Sequence, residues 1–253
     1  MITPEFVLSP REFDVLWQEL RLGRMPYPLD VPTEGDTEQD RRVLRDKTLE
    51  ELRQRGLADD PQLEEYLRLL DDHVTSVDAV AGLDRTVRAL AVSNGSQAVL
   101  AIIDNDRVGL LAIRETGIAR EIVRVLPDGE PGPGTAVNVR VEALQQAVAL
   151  QEAEEEDDSD DPWGAADDEM DDRQALQQAG LSAQDAKQFG ELAANRVAGG
   201  QFGVTRGRER SGVVINWFDT HQGRYLMVNS DGWLSLSPTD NDRIATRINA
   251  VLA

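Results

Sequence analysis

The sequence carries one pattern of strands, turns and helix twice. From Asp84 it reads DRTVRALAVSNGSQAVLAIIDNDRVGLLAIRETGIAREIVRVL, and from Glu209 it reads ERSGVVINWFDTHQGRYLMVNSDGWLSLSPTDNDRIATRINAVL. Each copy holds two apolar runs around a Gly turn, a second acidic turn, a third apolar run and a closing helix with Ile-Ala in its first turns. Ile118 and Ala119 precede Ile244 and Ala245 by 126 residues, and Leu126 precedes Leu252 by the same distance. A weaker likeness joins the start of each half, Phe6 to Leu20 against Val137 to Leu150. A chain that repeats a supersecondary unit is constrained to a body in which two similar halves share a sheet. Strands joined by tight hairpins make that sheet antiparallel, since parallel neighbours need a long crossover. The expected fold class is α+β: a pseudo-twofold repeat of two similar halves sharing a central antiparallel sheet flanked by two helical bundles. The expected divisions are an N-terminal half over 1–126, a Pro/Gly linker over 127–136 and a C-terminal half over 137–253.

Local signals fill in this frame. A short strand is expected at Phe6 to Leu8. Ser9-Pro10-Arg11-Glu12 then reads as a capping box with proline at the first helical position. Phe13, Leu16, Trp17 and Leu20 give the helix that follows one apolar face. A charged helix is expected from about Thr37 to Arg55, stopped by Gly56 in the C-terminal cap position. Asp60 and Pro61 start another, with Leu63, Tyr66, Leu67 and Leu70 inward. Asn94-Gly95 between β-prone runs signals a hairpin. In the first half a closing helix is expected from about Thr116 to Leu126. In the second half, helices are expected near Arg173 to Ala179 and Ser182 to Ala198, strands from Gln201 to Ser237, and a last helix from near Thr239.

Charge narrows the function. The formal net charge is −21, but residues 151–172 carry 13 acidic residues and no basic one. Elsewhere 34 acidic and 26 basic residues leave a net of −8, which is ordinary for this length. Like charges packed so densely cannot bury enough apolar surface to fold, so 151–172 reads as a disordered acidic insert. A contact for a basic partner or a loose cation site is the alternative use of that run. An acidic surface excludes nucleic acid, whose phosphates need clustered Lys and Arg, and it disfavours anionic membrane. The longest apolar runs are too short for the ~30 Å core of a bilayer. No basic and apolar leader opens MITPEFVLSPREF, so no signal peptide is read. The expectation is a cytoplasmic protein.

The search for chemistry finds little. Cysteine is absent, which removes thiol nucleophiles and thiolate metal sites. Two histidines, His73 and His221, are too few for a histidine metal centre. Asp219, His221 and Ser235 supply the residue types of a triad, but Asp219 and His221 sit at a hairpin tip where a base is neither oriented nor desolvated. The Gly-rich stretches lack the strand, Lys-Ser/Thr and helix context of a phosphate loop. No catalytic, metal or cofactor residue is therefore assigned. Trp217 and Phe218 are adjacent in a strand and must face opposite sides, so one meets the core and the other a helix layer or a partner.

The C-terminal block resembles the closing segment of the EspG family of type VII (ESX) secretion chaperones. The resemblance rests on Asp219-Thr220-His221-Gln222-Gly223-Arg224, Asp231-Gly232-Trp233, the run Ser235 to Pro238, and Ile244-Ala245. The N-terminus is similar too, through Phe13, Leu16 and Trp17, then Leu22-Gly23, Pro26-Tyr27-Pro28-Leu29 and Arg55-Gly56-Leu57. The resemblance implies a pseudo-twofold fold and binding of PPE proteins at the tip of their helical hairpin. Covering an apolar tip in the cytosol makes physical sense, because exposed apolar surface drives association. A groove between sheet and helices accepts such a tip as a helix in a groove.

By the same analogy the partner-binding residues belong to the helices and adjoining sheet of the second half. The apolar candidates are Leu176, Leu181, Phe189, Leu192, Phe202, Trp217 and Phe218; Arg196 is a polar one, and the loop from Asn94 to Gln97 is a candidate rim. Core packing competes for every apolar member, since short helices need their apolar faces for stability. Two other functions remain open on the residues: a regulatory or small-molecule-sensing module using the cleft between the halves, and an enzyme if a buried carboxylate or histidine lines a cleft. The expected partner is a PPE-like or other helical-hairpin secretion substrate, with no nucleic acid, no membrane and no cofactor. The chain itself is expected to be a monomer or weak homodimer.

Overall fold

The structure is a computed structural model and describes residues 2–142, 145, 177, 182, 191, 192 and 194–253. The acidic run 151–172 and most of the two expected helices after it lie outside the described residues. What is described is α+β with a large antiparallel sheet. The chain divides into two compact units, Met1–Asp128 with Gly200–Ser211 and Asn241–Ala253, and Gly129–Gly199 with Gly212–Asp240.

In the first unit, β1 (Phe6–Leu8) leads into α1 (Pro10–Glu19) through the capping box. Ser9 Oγ accepts from the Glu12 N–H, and Glu12 Oε2 accepts from the Ser9 N–H at 2.7 Å, so two backbone donors at the helix start find partners. Arg55 then donates to Glu12 Oε1 at 2.6 Å and to the Val7 carbonyl. This ties the end of α2 (Glu38–Gln54) back to the start of α1. Gly56 ends α2 at a φ of +72°, where a side chain would be strained. In α3 (Pro61–Asp71), the Asp60 carboxylate accepts from the Gln62 and Leu63 N–H groups, both at 2.9 Å. Phe13, Leu16 and Trp17 of α1, Leu52 of α2 and Leu63, Tyr66, Leu67 and Leu70 of α3 bury against Leu90, Val92, Val99, Ala101, Val108 and Leu110 of the sheet.

That sheet contains β2 (Thr75–Gly82), β3 (Thr86–Ser93), β4 (Ala98–Asp104) and β5 (Arg107–Ile113), ordered β1-β5-β4-β3-β2. Asn94 folds the β3–β4 loop by accepting from the Ser96 and Gln97 N–H groups on Oδ1, with Gly95 at φ +91°. The expected helix after β5 is shorter and irregular at its start: a 3-10 turn at Glu115–Gly117, then α4 (Ile118–Val123). Gly117 and the β-branched residues around it weaken helix formation there. α4 packs against α5 (Asn241–Leu252), so the two Ile-Ala helices recognised in the sequence meet within this unit. α5 begins two residues later than expected, because Thr239 gives its N–H to the Arg224 carbonyl.

The second unit holds β6 (Val137–Arg140), β9 (Val214–Thr220), β10 (Gly223–Ser230) and β11 (Trp233–Pro238), in the order β9-β10-β11-β6. β7 (Arg196–Arg206) contributes residues 196–199 to this unit and 200–206 to the first; the two-residue strand β8 (Glu209–Arg210) folds back on it. The helix expected to run to Ala198 has therefore ended by Arg196. Asn195 closes it by donating to the Glu191 carbonyl, and Val197, Gly199 and Gly200 are poor helix formers. The Pro/Gly stretch expected as a linker runs as a strap along the start of β10. Arg224 N–H donates to the Glu130 carbonyl, Gly132 N–H donates to the Arg224 carbonyl, and Tyr225 Oη donates to the Pro133 carbonyl at 3.0 Å.

Candidate functional site

One face of the β9-β10-β11 sheet in the second unit carries stacked aromatic and apolar side chains that reach toward the surface. Strand alternation and the observed register place its side chains in three rows. The first is Phe218, Tyr225 and Pro238; the second is Asn216, Met227 and Leu236; the third is Val214, Asn229 and Leu234. The rows grade from closed to open. Tyr225 is 1% exposed and Phe218 7%, and Leu192 and Leu236 are buried with them, while Val214, Met227 and Leu234 are half-buried and Asn229 is exposed. Phe218 and Tyr225 stack with centroids 5.5 Å apart and 19° between planes, a geometry that adds attraction to area burial. Burial pushes the Tyr225 phenol above its ordinary pKa, so it stays a neutral hydrogen-bond donor.

Arg196 completes this face. Its guanidinium lies over the Phe218 ring at 5.8 Å. Gly199 makes room, since a Cβ there would sit 2.5 Å from Arg196 Nη2. Phe218 thus contacts both the Tyr225 ring and the exposed Arg196 cation.

The opposite face is built differently. Trp217 is buried there, with Arg224 over its ring at 4.8 Å. Arg224 is fully buried and donates twice to the Asp219 carboxylate, at 2.7 and 2.8 Å. The nominal triad is spoken for: Asp219 holds Arg224, Ser235 Oγ donates to Asn138 Oδ1, and His221 is exposed in the β9–β10 turn. Among the described residues no group of three or more His, Asp or Glu is placed to hold a metal.

The residues singled out from the sequence separate accordingly. Leu192, Arg196 and Phe218 come together on the stacked face, and Trp217 lies on the other side of the same sheet. Phe202 is fully buried in the first unit. Asn94 and Gln97 also belong to the first unit, where they border an open groove of about 450 Å³ with Glu64, Glu65 and Arg68 of α3. Gln97 Nε2 donates to the Glu65 carboxylate across it. Leu176, Leu181 and Phe189 lie outside the described residues. Sequence reasoning missed Tyr225, Met227, Val214 and Leu234. Period-two alternation from Phe218 across each hairpin would have found them. A second groove in the first unit, about 1140 Å³, runs between the end of β5, α4 and α5 and is lined by Arg114, Arg120, Arg124, Glu121 and Asp242 among others.

An α+β protein presenting a graded aromatic face under an exposed cation is the class that fold and site define. A family model described as the EspG family matches residues 9–250. The chain therefore belongs to the EspG family. Among solved structures it is similar to that of the Mycobacterium tuberculosis type VII secretion system chaperone EspG5 in complex with a PE25–PPE41 dimer. The TM-score is 0.72 at 14% identity, over 98% of this chain and 95% of that one. At that identity the likeness carries the fold. No curated protein matches the chain.

Proposed function

We propose that this chain is a cytoplasmic, non-catalytic chaperone of a type VII secretion system that binds the apolar tip of a PPE-like helical-hairpin substrate and keeps it soluble before export. The observation that carries this reading is the family match over residues 9–250. The fold it shares with EspG5, which is solved with a PE25–PPE41 dimer, supports the same reading. The geometry fits: a helix tip needs a concave or flat apolar surface with some polar edge, and the half-buried Val214, Met227 and Leu234, on the same sheet face as the Phe218–Arg196 stack, offer one. Among the described residues no helix is long and apolar enough to cross a membrane. The recurrence of Ile-Ala and the closing Leu at a spacing of 126 residues supports reading the two halves as copies of one unit.

Co-expression with the PE–PPE pair encoded nearest its gene, followed by size-exclusion chromatography, tests the proposal. The expected result is a stable soluble complex with a PPE protein that precipitates when the chaperone is omitted. Separate elution of both, with the PPE protein soluble alone, would refute it.

A further inference from the structure

On the chaperone reading, we propose that Arg196 is a selectivity residue that requires an Asp or Glu carboxylate beside the apolar tip of the client. Phe218 lies 5.8 Å from the guanidinium and Gly199 leaves room beside it, so the fold itself presents this charge at the edge of the aromatic face. Arg196 is exposed, and its N–H groups meet no carboxylate within ion-pair distance among the described residues. Two other arginines of this unit are stacked: Arg140 lies over the exposed Trp233 at 5.0 Å, and Arg224 is both buried and matched to Asp219. The contrast is between a cation whose charge is satisfied internally and one whose charge is left outward.

An apolar tip seated over the Phe218 end of this face would remove water from Arg196. A guanidinium stripped of water with no acceptor is strongly unfavourable. A client that brings a carboxylate converts this loss into a charge-assisted, two-pronged hydrogen bond. An equally apolar client lacking it is rejected, which is selection by penalty as much as by attraction. The planar fork preset on Phe218 loses little side-chain freedom on pairing.

The test compares wild type with Arg196→Gln, Arg196→Lys and Arg196→Glu for affinity toward the same PE–PPE pair, at low and high salt. Arg196→Gln is expected to weaken binding about tenfold or more and to flatten its dependence on salt. Arg196→Lys keeps the charge without the fixed plane and should fall between. Arg196→Glu should bind least and be rescued by an Asp/Glu→Arg change at one acidic position beside the client tip. Melting temperatures of all variants should stay within about 4 °C of wild type, because an exposed cation over a ring contributes only about 0.5–1 kcal/mol. Unchanged affinity in Arg196→Gln and Arg196→Glu overturns the proposal. So does weaker binding with an unchanged salt dependence, which would make Arg196 a packing residue. If wild type itself captures no client, the chaperone reading has failed, and that outcome is distinguishable because it precedes any comparison of variants.

Discussion

Arg224 holds a full positive charge with no exposed surface, and the cost of that burial is offset by named atoms. Asp219 accepts two of its hydrogen bonds, Trp217 offers its ring face, and the chain at Glu130 and Gly132 brackets its backbone. Removing one partner of a buried ion pair leaves the charge with less compensation. Asp219→Ala should therefore cost about 3 kcal/mol of unfolding free energy in urea, the low end for buried pairs because Asp219 is partly exposed. A loss under about 1 kcal/mol would mean that other groups carry Arg224. His73 is the second informative residue. It follows α3 with Nδ1 3.1 Å from the Leu70 carbonyl, to which it donates in the tautomer protonated there. Burial holds its pKa below the ordinary 6.5. As pH falls the unfolded chain takes up this proton first, so the contribution is full above 6.5 and is lost as pH falls through the folded value. Wild type should lose more stability than His73→Gln between about pH 7.5 and about pH 5 in urea titrations. Parallel losses in both proteins would show that His73 does not titrate differently on folding. The sequence marked Arg224 only as a motif member; its burial depends on Asp219 standing opposite in the β9–β10 register.

Elements whose ends are set by neighbours three or four residues away were legible, and those set by distant partners were not. The Ser9 and Asp60 caps, the Gly56 stop and the Asn94 turn are all short-range hydrogen bonds or backbone preferences, and each stands where the residue pattern placed it. Ser9→Ala should remove the Oγ acceptor and cost about 1 kcal/mol. A change indistinguishable from zero in the urea midpoint would count against the capping box as a stabilising contact. The start of β7 was not legible, because an Ala-rich run suits a helix until strand pairing claims it. The β7–β8 hairpin shows the same dependence on distant partners. Arg210 reaches Asp78 on β2 with bonds of 2.6 and 3.0 Å, and Gly203 leaves the space for that pair. Gly203→Ala would drive a methyl into both side chains. It should speed amide exchange across residues 205–210 while the α1–α3 cluster keeps its protection. Uniformly faster exchange would mean that the hairpin is not a separate unit of stability.

At the scale of the molecule, the repeat in the sequence anticipated two hairpin-rich halves, and the structure divides between two units whose membership is not the simple halves of the chain. Residues 200–211 and the last helix count with the N-terminal unit. The acidic run is a matter of composition alone. Thirteen like charges repel when brought together, so excising 152–171 should leave the melting temperature nearly unchanged, and a fall of about 5 °C or more would show that the run packs. The sequence by itself determined the α+β class, the antiparallel hairpins, the helix caps and, through the ordered motifs at the C-terminus, the resemblance to the EspG family. These rest on local backbone chemistry and on the two periodicities of apolar residues, which one chain displays without reference to any distant part. Tertiary structure alone decided which apolar residues share a face, which arginine is buried and which is presented. Phe218, Tyr225 and Arg196 are separated along the chain and meet only through strand register, and the same register sets Arg224 against Asp219 on the other side. Charge satisfaction depends on who stands opposite, and that is a property of the folded sheet.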